Sequence, residues 1–312
     1  MAKKRQSQTS GIAAARATSS PHDSAAEGSD AQAISKPSPG LVIVATPIGN
    51  AGDITLRALE VLRQADAIAC EDTRVTGKLM ARYGIATPLL AYHEHNAARM
   101  RPVLLQRLAR GETLALVSDA GTPLVSDPGY KLVRAAIAAG APVSAVPGAS
   151  AALTALVISG LPPDRFLFAG FLPPRAAARQ TELHELCGVR ATLIFFESAG
   201  RLAETLADMA TVLGPREAVV ARELTKLYEE VRRGSLADLQ MHYAESEPPK
   251  GEIVILVGPP PAAEATDEAI DTALQAALST ASLRDAVATV TAELGAPRRR
   301  VYARALLLAG ES

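Results

Sequence analysis

The sequence predicts an α/β protein made of two strand-and-helix units. The first is expected around a mostly parallel sheet and the second around a mixed sheet, with a small helical extension behind them. Three observations predict this. Short apolar runs recur between stretches of helical periodicity, the pattern of strands covered by helices. The early runs each end in a loop of small, polar and turn-forming residues. Prolines at positions 162–163 and 259–261 interrupt any helix there and divide the chain.

The elements follow in order. Residues 1–39 are rich in Ser and Ala, carry no aromatic residue, and are expected to be a disordered tail. Lys3, Lys4 and Arg5 are not followed by an apolar core, so they do not open a secretory signal; they read as a solvated tail or an RNA contact. The run LVIVA at 41–45 predicts a strand buried on both faces, then a loop at 46–53 and a helix over about 54–64. Further strands are expected at 67–70, 89–92, 114–117 and 143–146, the last leading through PGAS into another helix. A second unit begins after GLPPD at 160–164, with strands at 166–170, 192–196, 218–221 and 253–257 and an antiparallel hairpin segment at 228–233. From about 264 the chain reads as helical, with a break at Gly295-Ala296-Pro297. The expected units are therefore 1–39, 40–160, 161–260 and 261–312.

Composition narrows the function classes. Of 312 residues 48% are hydrophobic, enough for substantial cores, but only 4% are aromatic and none is Trp, so packing rests on Ala, Leu, Val and Ile. A net charge of −1 argues against gripping long nucleic acid by counterion release alone, leaving local contacts possible. Cys70 and Cys187 have neither metal-type spacing nor a disulfide framework and read as buried thiols. No run approaches a membrane span, and a cytoplasmic protein is expected.

Four loops follow apolar strands and would emerge on one edge of a parallel sheet, where open α/β sheets bind ligands. They are residues 46–53, 71–74, 118–129 and 147–151. The most informative is SDAGTPLVSDPG at 118–129. It reads as a ligand site, or as a capped turn with Ser126 or Asp127 as N-cap and Pro128 opening the next helix. The first loop offers only G-x-x-G, without a full dinucleotide fingerprint or a Walker lysine, which disfavours nicotinamide dinucleotides and nucleoside triphosphates. Gly121, Gly148, Ala149 and Ala151 would let a flat adenosine approach the backbone, and Ser150 could bond a ligand or cap the following helix. Glu71-Asp72-Thr73-Arg74 reads either as a polar cluster with Arg74 aimed at a phosphate or as a surface pair with a helix cap. His93 and His95 lack a second ligand set, so no metal is expected. Arg222-Glu223-Leu224-Thr225-Lys226, with Glu229-Glu230, suggests a site wall or a solvated edge, and Arg298-Arg299-Arg300 a phosphate contact or an exposed helix start.

Taken in order, ATPIGNAGDIT, CEDTR, SDAGTPLVSDPG, PGASA, AGFLP, RELTK with EE, and KGEIVILV resemble the small-subunit ribosomal RNA methyltransferase I family. This is the cytidine 2′-O-methyltransferase branch of the tetrapyrrole methylases. The resemblance covers about residues 40–258 and, less specifically, the helical C-terminus. It implies a two-domain tetrapyrrole-methylase-like fold, a homodimer, and S-adenosylmethionine bound in the cleft between the α/β units. It places Ile48 (through its backbone), Ala120, Gly121, Thr122, Val125, Ser150, Ala151, Glu197 and Leu224 at that cofactor. The implied reaction methylates the ribose of a cytidine, cytidine 1402 of 16S RNA, in an assembled small subunit. Two departures stand out: Ala199-Gly200 replace a usual Pro-His pair, and Ala51 a bulkier apolar residue.

Methyl transfer from a sulfonium is an in-line displacement that needs an aligned 2′-oxygen and a proton acceptor. Candidate acceptors or orienters are Asp72, Asp119 and Glu223. Arg74, Arg222 and Lys226 are candidates for RNA phosphates. Methylation of a porphyrin-like small molecule and a non-catalytic RNA-binding assembly factor are the competing readings.

Overall fold

The structure, a computed structural model, describes residues 38–261 and 265–310. The expected tail, including Lys3, Lys4 and Arg5, lies almost entirely outside the described residues.

The first sheet is wholly parallel. Its strands are β1 (Gly40–Val44), β2 (Ala67–Cys70), β3 (Leu89–Ala91), β4 (Thr113–Leu116) and β5 (Val143–Val146), in the order β3-β2-β4-β1-β5. Helices α1 (Leu56–Gln64) and α2 (Thr73–Arg82) pack Leu59, Leu62 and Met80 on one face. Helices α3 (Ala97–Ala109) and α4 (Tyr130–Ala138) pack Leu104, Leu108 and Leu132 on the other. The strands β2 and β4 are buried along their whole length, which is why their sequences are continuous apolar runs rather than alternating ones. The helix expected over 54–64 begins two residues later. Asn50 caps a single 3₁₀ turn (Ala51–Asp53), and Thr55 then caps α1 by accepting the Ala58 N–H at 3.0 Å.

The second sheet is mixed, with β6 (Phe166–Phe171), β7 (Thr192–Ser198), β8 (Glu217–Arg222), β9 (Glu230–Ser235) and β10 (Glu252–Val257) in the order β6-β7-β10-β8-β9. Only β6 and β7 run parallel; β9, foreshadowed by the hairpin segment, pairs antiparallel with β8. Helices α6 (Ala176–Leu186), α7 (Leu202–Leu213) and α8 (Leu236–Glu245) cover one face through Leu183, Leu206, Met209 and Leu239. The opposite face is covered by α5 (Ala151–Ser159), which precedes the sheet in the chain. Ala152, Ala155 and Leu156 of α5 pack there with Ile194, Val219 and Val254, and Ile48 and Leu224 join the same core.

Three further helices, α9 (Asp267–Leu278), α10 (Leu283–Leu294) and α11 (Arg298–Gly310), share a core of Ile270, Leu274, Val287, Val290 and Val301. The Arg298–Arg300 run opens α11; Arg300 pairs with Asp267 at 2.9 Å. Among the described residues no helix is long and apolar enough to cross a membrane, and no His, Cys, Asp and Glu cluster could hold a metal ion.

Candidate active site between the two sheets

Three neighbouring strands of the first sheet deliver the first wall. The loops after β4, β1 and β5 meet because these strands lie side by side, each about 4.8 Å from the next. Thr46 and Gly121 exchange backbone hydrogen bonds of 2.9 and 3.0 Å, joining the first two loops. The Thr122 hydroxyl donates to the Ala149 carbonyl at 3.1 Å, joining the loop after β4 to the loop after β5. The glycines at these junctions are required. Gly121 has φ +80°, and a Cβ there would lie 3.3 Å from Ile48 Cγ2; a Cβ on Gly148 would lie 2.9 Å from Ala45 Cβ.

The second sheet supplies the opposite wall through Phe171, Phe196, Glu197, Leu224 and the start of β10. Phe196 is held edge-on between Phe168 (4.8 Å) and Phe171 (5.6 Å). The Thr225 hydroxyl accepts the Asn50 N–H at 3.1 Å, tying the two walls together. Between them lies a cavity of about 450 Å³. Among the described residues, the four non-glycine residues with left-handed backbone are Leu124 (φ 74°), Ser126 (64°), Glu223 (51°) and Thr225 (66°). All four sit in the two loops that flank this cavity, the placement expected of backbone held by its surroundings for function.

Ile48, Ala120, Gly121, Thr122, Val125, Ser150, Ala151, Glu197 and Leu224, the residues expected at a cofactor, all line the cavity, as does Asp119. Ser150 also caps α5, accepting the Leu153 N–H at 3.5 Å. Glu197 is buried and fully engaged: its carboxylate accepts the Ser198 N–H (2.7 Å) and the Thr205 hydroxyl (2.6 Å) and pairs with Arg201 (3.3 Å).

The structure does not bring Asp72, Glu223, Arg74, Arg222 or Lys226 to the cavity wall. Asp72 follows β2, one strand beyond β4, and serves as the cap of α2. Its carboxylate accepts the Arg74 N–H (2.8 Å) and pairs with the Arg74 guanidinium (2.6 Å), which holds it down at about 2. Its own N–H donates to Asp119 Oδ1 at 3.1 Å. Glu223 accepts from Lys226 Nζ (2.7 Å) and from the Glu252 N–H (3.0 Å), and these hydrogen bonds hold it below the ordinary carboxylate range. Lys226 also pairs with Glu252 at 2.8 Å, and Arg222 with Glu230 at 3.0 Å.

The helix-start reading of Ser126, Asp127 and Pro128 is corrected. Helix α4 starts at Tyr130 with Gly129 at the N-cap and no side-chain cap, while Ser126 and Asp127 line the cavity. The left-handed turns at Leu124 and Ser126 separate the loop's end from the helix. Burial pushes the Asp127 carboxyl up to about 6; the nearby charges of Glu71 and Asp119 add to this, and the Ser118 hydroxyl opposes it. Glu71 is likewise raised, first by burial and then by Asp119. The repeated Ser-Asp pair, at 118–119 and again at 126–127, was the available signal that Asp127 belongs to the site. The walls from Phe171, Phe196, Ser198, Ala199 and 251–254 were hidden because they read simply as strand or strand end.

The lining contains four carboxylates (Asp119, Asp127, Glu197 and Glu252) and no Lys, Arg or His. Two are neutralised, Glu197 by Arg201 and Glu252 by Lys226. Such walls repel a polyphosphate and suit a ligand carrying positive charge.

Residues 40–240 match the Tetrapyrrole (Corrin/Porphyrin) Methylases family, and residues 264–309 match the RsmI C-terminal HTH domain. A ribosomal RNA small subunit methyltransferase I from Mesorhizobium japonicum is 52% identical over 271 residues, spanning 86% of this chain and 92% of the relative. One from Erythrobacter litoralis is 53% identical, spanning 87% and 96%. The chain belongs to the ribosomal RNA small subunit methyltransferase I family. It is an enzyme of the methyltransferase class. Solved structures share the methyltransferase I fold at lower identity. Diphthine synthase has a TM-score of 0.56 at 17% identity, covering 70% of this chain and 89% of its own. Uroporphyrin-III-C-methyltransferase from Thermus thermophilus has 0.52 at 23%, covering 70% and 94%.

Proposed function

We propose that this enzyme transfers the methyl group of S-adenosylmethionine to the ribose 2′-oxygen of a cytidine in small-subunit ribosomal RNA, cytidine 1402 of the 16S molecule by family resemblance. It acts in the cytoplasm, as a homodimer, on the assembled 30S particle. The observation that carries the reading is the cavity itself. Its walls bear free negative charge, a size within the range of small-molecule sites, and small residues where a ligand must meet the backbone.

These residues fit S-adenosylmethionine. Gly121, with Ala120 and Ala151, leaves a cradle that side chains would otherwise fill; Ile48, Val125, Phe196 and Leu224 offer apolar contact to an adenine ring. Asp119 adds negative charge to the wall, which suits a ligand that carries a sulfonium and an ammonium group. When bound, the cofactor supplies an activated methyl group, so the protein has to align the acceptor oxygen, exclude water and receive a proton.

The RNA-facing surface is assigned to α2. Arg74, Lys78 and Arg82 are exposed at four-residue spacing, so they form one stripe about 12 Å long. Lys78 and Arg82 have no carboxylate partner among the described residues, and Arg74, though paired with Asp72, keeps its side chain exposed, whereas Arg222 and Lys226 are both ion-paired and largely buried. The stripe starts at Arg74, beside Asp72, whose N–H reaches Asp119. The test is methyl transfer from labelled S-adenosylmethionine to small subunits lacking the mark, with ribose methylation mapped on the product. Labelling at the expected cytidine supports the reading. No transfer by protein that binds S-adenosylmethionine, or transfer only to a porphyrin precursor, overturns it.

A further inference from the structure

A ribose hydroxyl must lose its proton as its oxygen is methylated, and the three candidate acceptors suggested by sequence are poorly placed for that. Asp72 is off the cavity wall and tied to Arg74. Glu223 is off the wall and tied to Lys226 and to the backbone of Glu252. Asp119 is on the wall, but its Oδ1 accepts the Asp72 N–H.

The four wall carboxylates can be compared directly. Glu197 is saturated by Ser198, Thr205 and Arg201. Glu252 is paired with Lys226 and its side chain is 72% exposed. Asp119 holds a backbone donor. Asp127 remains: among the described residues neither a cation nor a backbone N–H reaches its carboxylate, and the Ser118 hydroxyl is its sole polar neighbour of opposite effect. It is half-buried in the loop that the left-handed residues Leu124 and Ser126 hold against the cavity.

We propose that Asp127 is the general base that takes the 2′-hydroxyl proton. This rests on the functional reading above. The O–H bond breaks toward the Asp127 carboxylate while the oxygen bonds the methyl carbon; the electron pair of the methyl–sulfur bond stays on sulfur. The proton then passes from Asp127 to solvent, so no further reactant is needed. The surroundings suit the role. The charged groups that face Asp127 are Glu71, after β2, and Asp119, after β4; with burial they bring its affinity for a proton close to neutrality, where a general base is most effective. His93 acts on Glu71 in the opposite sense, favouring its charged form.

The experiment uses the full chain and unmethylated 30S particles, with Asp127→Asn and Glu71→Gln beside the wild type. Calorimetry measures binding of S-adenosylmethionine, and single-turnover methylation is followed from pH 5 to 8.5. The wild-type rate is expected to rise with pH through about 6 and then level off. Asp127→Asn is expected to bind the cofactor within about threefold of wild type, to lose about a hundred- to ten-thousand-fold in rate, and to lose the inflection. Glu71→Gln is expected to keep the rate at high pH and to move the inflection downward, which a merely structural role for Asp127 would not produce. Carboxyl-carbon NMR of the cofactor-free wild type supplies a readout apart from activity, with an Asp127 titration midpoint expected near 6. Asp127→Asn within threefold of the wild-type rate, an unchanged inflection in that variant, or a midpoint in the ordinary carboxylate range would each overturn the proposal. Wild-type protein that binds the cofactor but methylates no particle would refute the functional reading, a different failure.

Discussion

Asp127→Asn should make the protein more stable at pH 8 than the wild type. In an unfolded chain the carboxyl takes its ordinary value of 3.8, and in the folded protein it is pushed up to about 6. A carboxyl raised on folding favours the folded state below about pH 4, and that contribution is lost as the pH rises through about 6. Above 6 the ionised group opposes the fold, by at most roughly 3 kcal/mol from the difference between the two values. The cavity is open to solvent, and screening reduces this to about 1–2 kcal/mol. Asparagine keeps the shape and removes the charge. For a protein of this size the gain corresponds to a melting temperature higher by about 2–6 °C at pH 8. The assay is thermal and denaturant unfolding of both proteins at pH 4.5 and pH 8, without cofactor. The gain should be full at pH 8 and reduced to about a third of that at pH 4.5. Equal stabilities at pH 8, or the same difference at both pH values, would refute the reasoning. A variant that gains stability while losing rate is the behaviour expected of a charge kept for function.

Three other perturbations probe separate parts of the site. Gly121→Ala places a Cβ 3.3 Å from Ile48 Cγ2 at φ +80°; calorimetry should show cofactor affinity reduced about tenfold, and unfolding a loss of about 1–2 kcal/mol. Glu197→Gln removes the buried charge that faces Arg201; it should lower stability by about 1–3 kcal/mol in denaturant melts, with a smaller effect on cofactor affinity. Replacing Arg74, Lys78 and Arg82 together by Ala should leave melting and cofactor binding unchanged. It should weaken particle binding and flatten its dependence on log salt by about 2, from about 0.7 per lost phosphate contact.

Much of the fold was readable because the central strands are buried on both faces. LVIVA at 41–45 and IVILV at 253–257 tolerate no polar residue, so each reads as a strand without knowledge of its partner. Helix α5 was not readable in the same way. Its sequence, AALTALVIS, is apolar all round and names no buried face, so nothing local shows that Leu156 packs on the second sheet while Val157 faces out. In the site, the small residues after β4 and β5 declared themselves, since Gly and Ala before a helix have few other reasons to cluster. The charged residues did not. Glu223 looks like a free carboxylate in RELTK, and only the folded chain brings Glu252, 29 residues from it, to share Lys226, whereas at Asp72 the alternative of a surface pair with a helix cap is the one the structure bears out. Asp127 was hidden by chemistry that also caps helices: Ser-Asp-Pro-Gly before Tyr130 satisfies every local rule for a helix start, yet Gly129 takes the cap position.

The placement of α5 explains why this cavity is fixed in shape. The helix follows the last strand of the first sheet but buries Ala152, Ala155 and Leu156 on the second, in one core with Ile48 from the first loop and Leu224 from the opposite wall. The two walls are therefore parts of a single packed cluster, and pulling them apart would open a void in it, at about 20–30 cal/mol for each Å³ left empty. Rigid-body opening between the sheets is the expensive route to a large substrate. The less costly one is movement of the loop at 122–129, which carries the left-handed backbone at Leu124 and Ser126 and contributes no residue to that cluster. Asp127 lies on this loop, so the loop that must yield to admit a ribosomal nucleotide is also the loop that presents the proposed base to it.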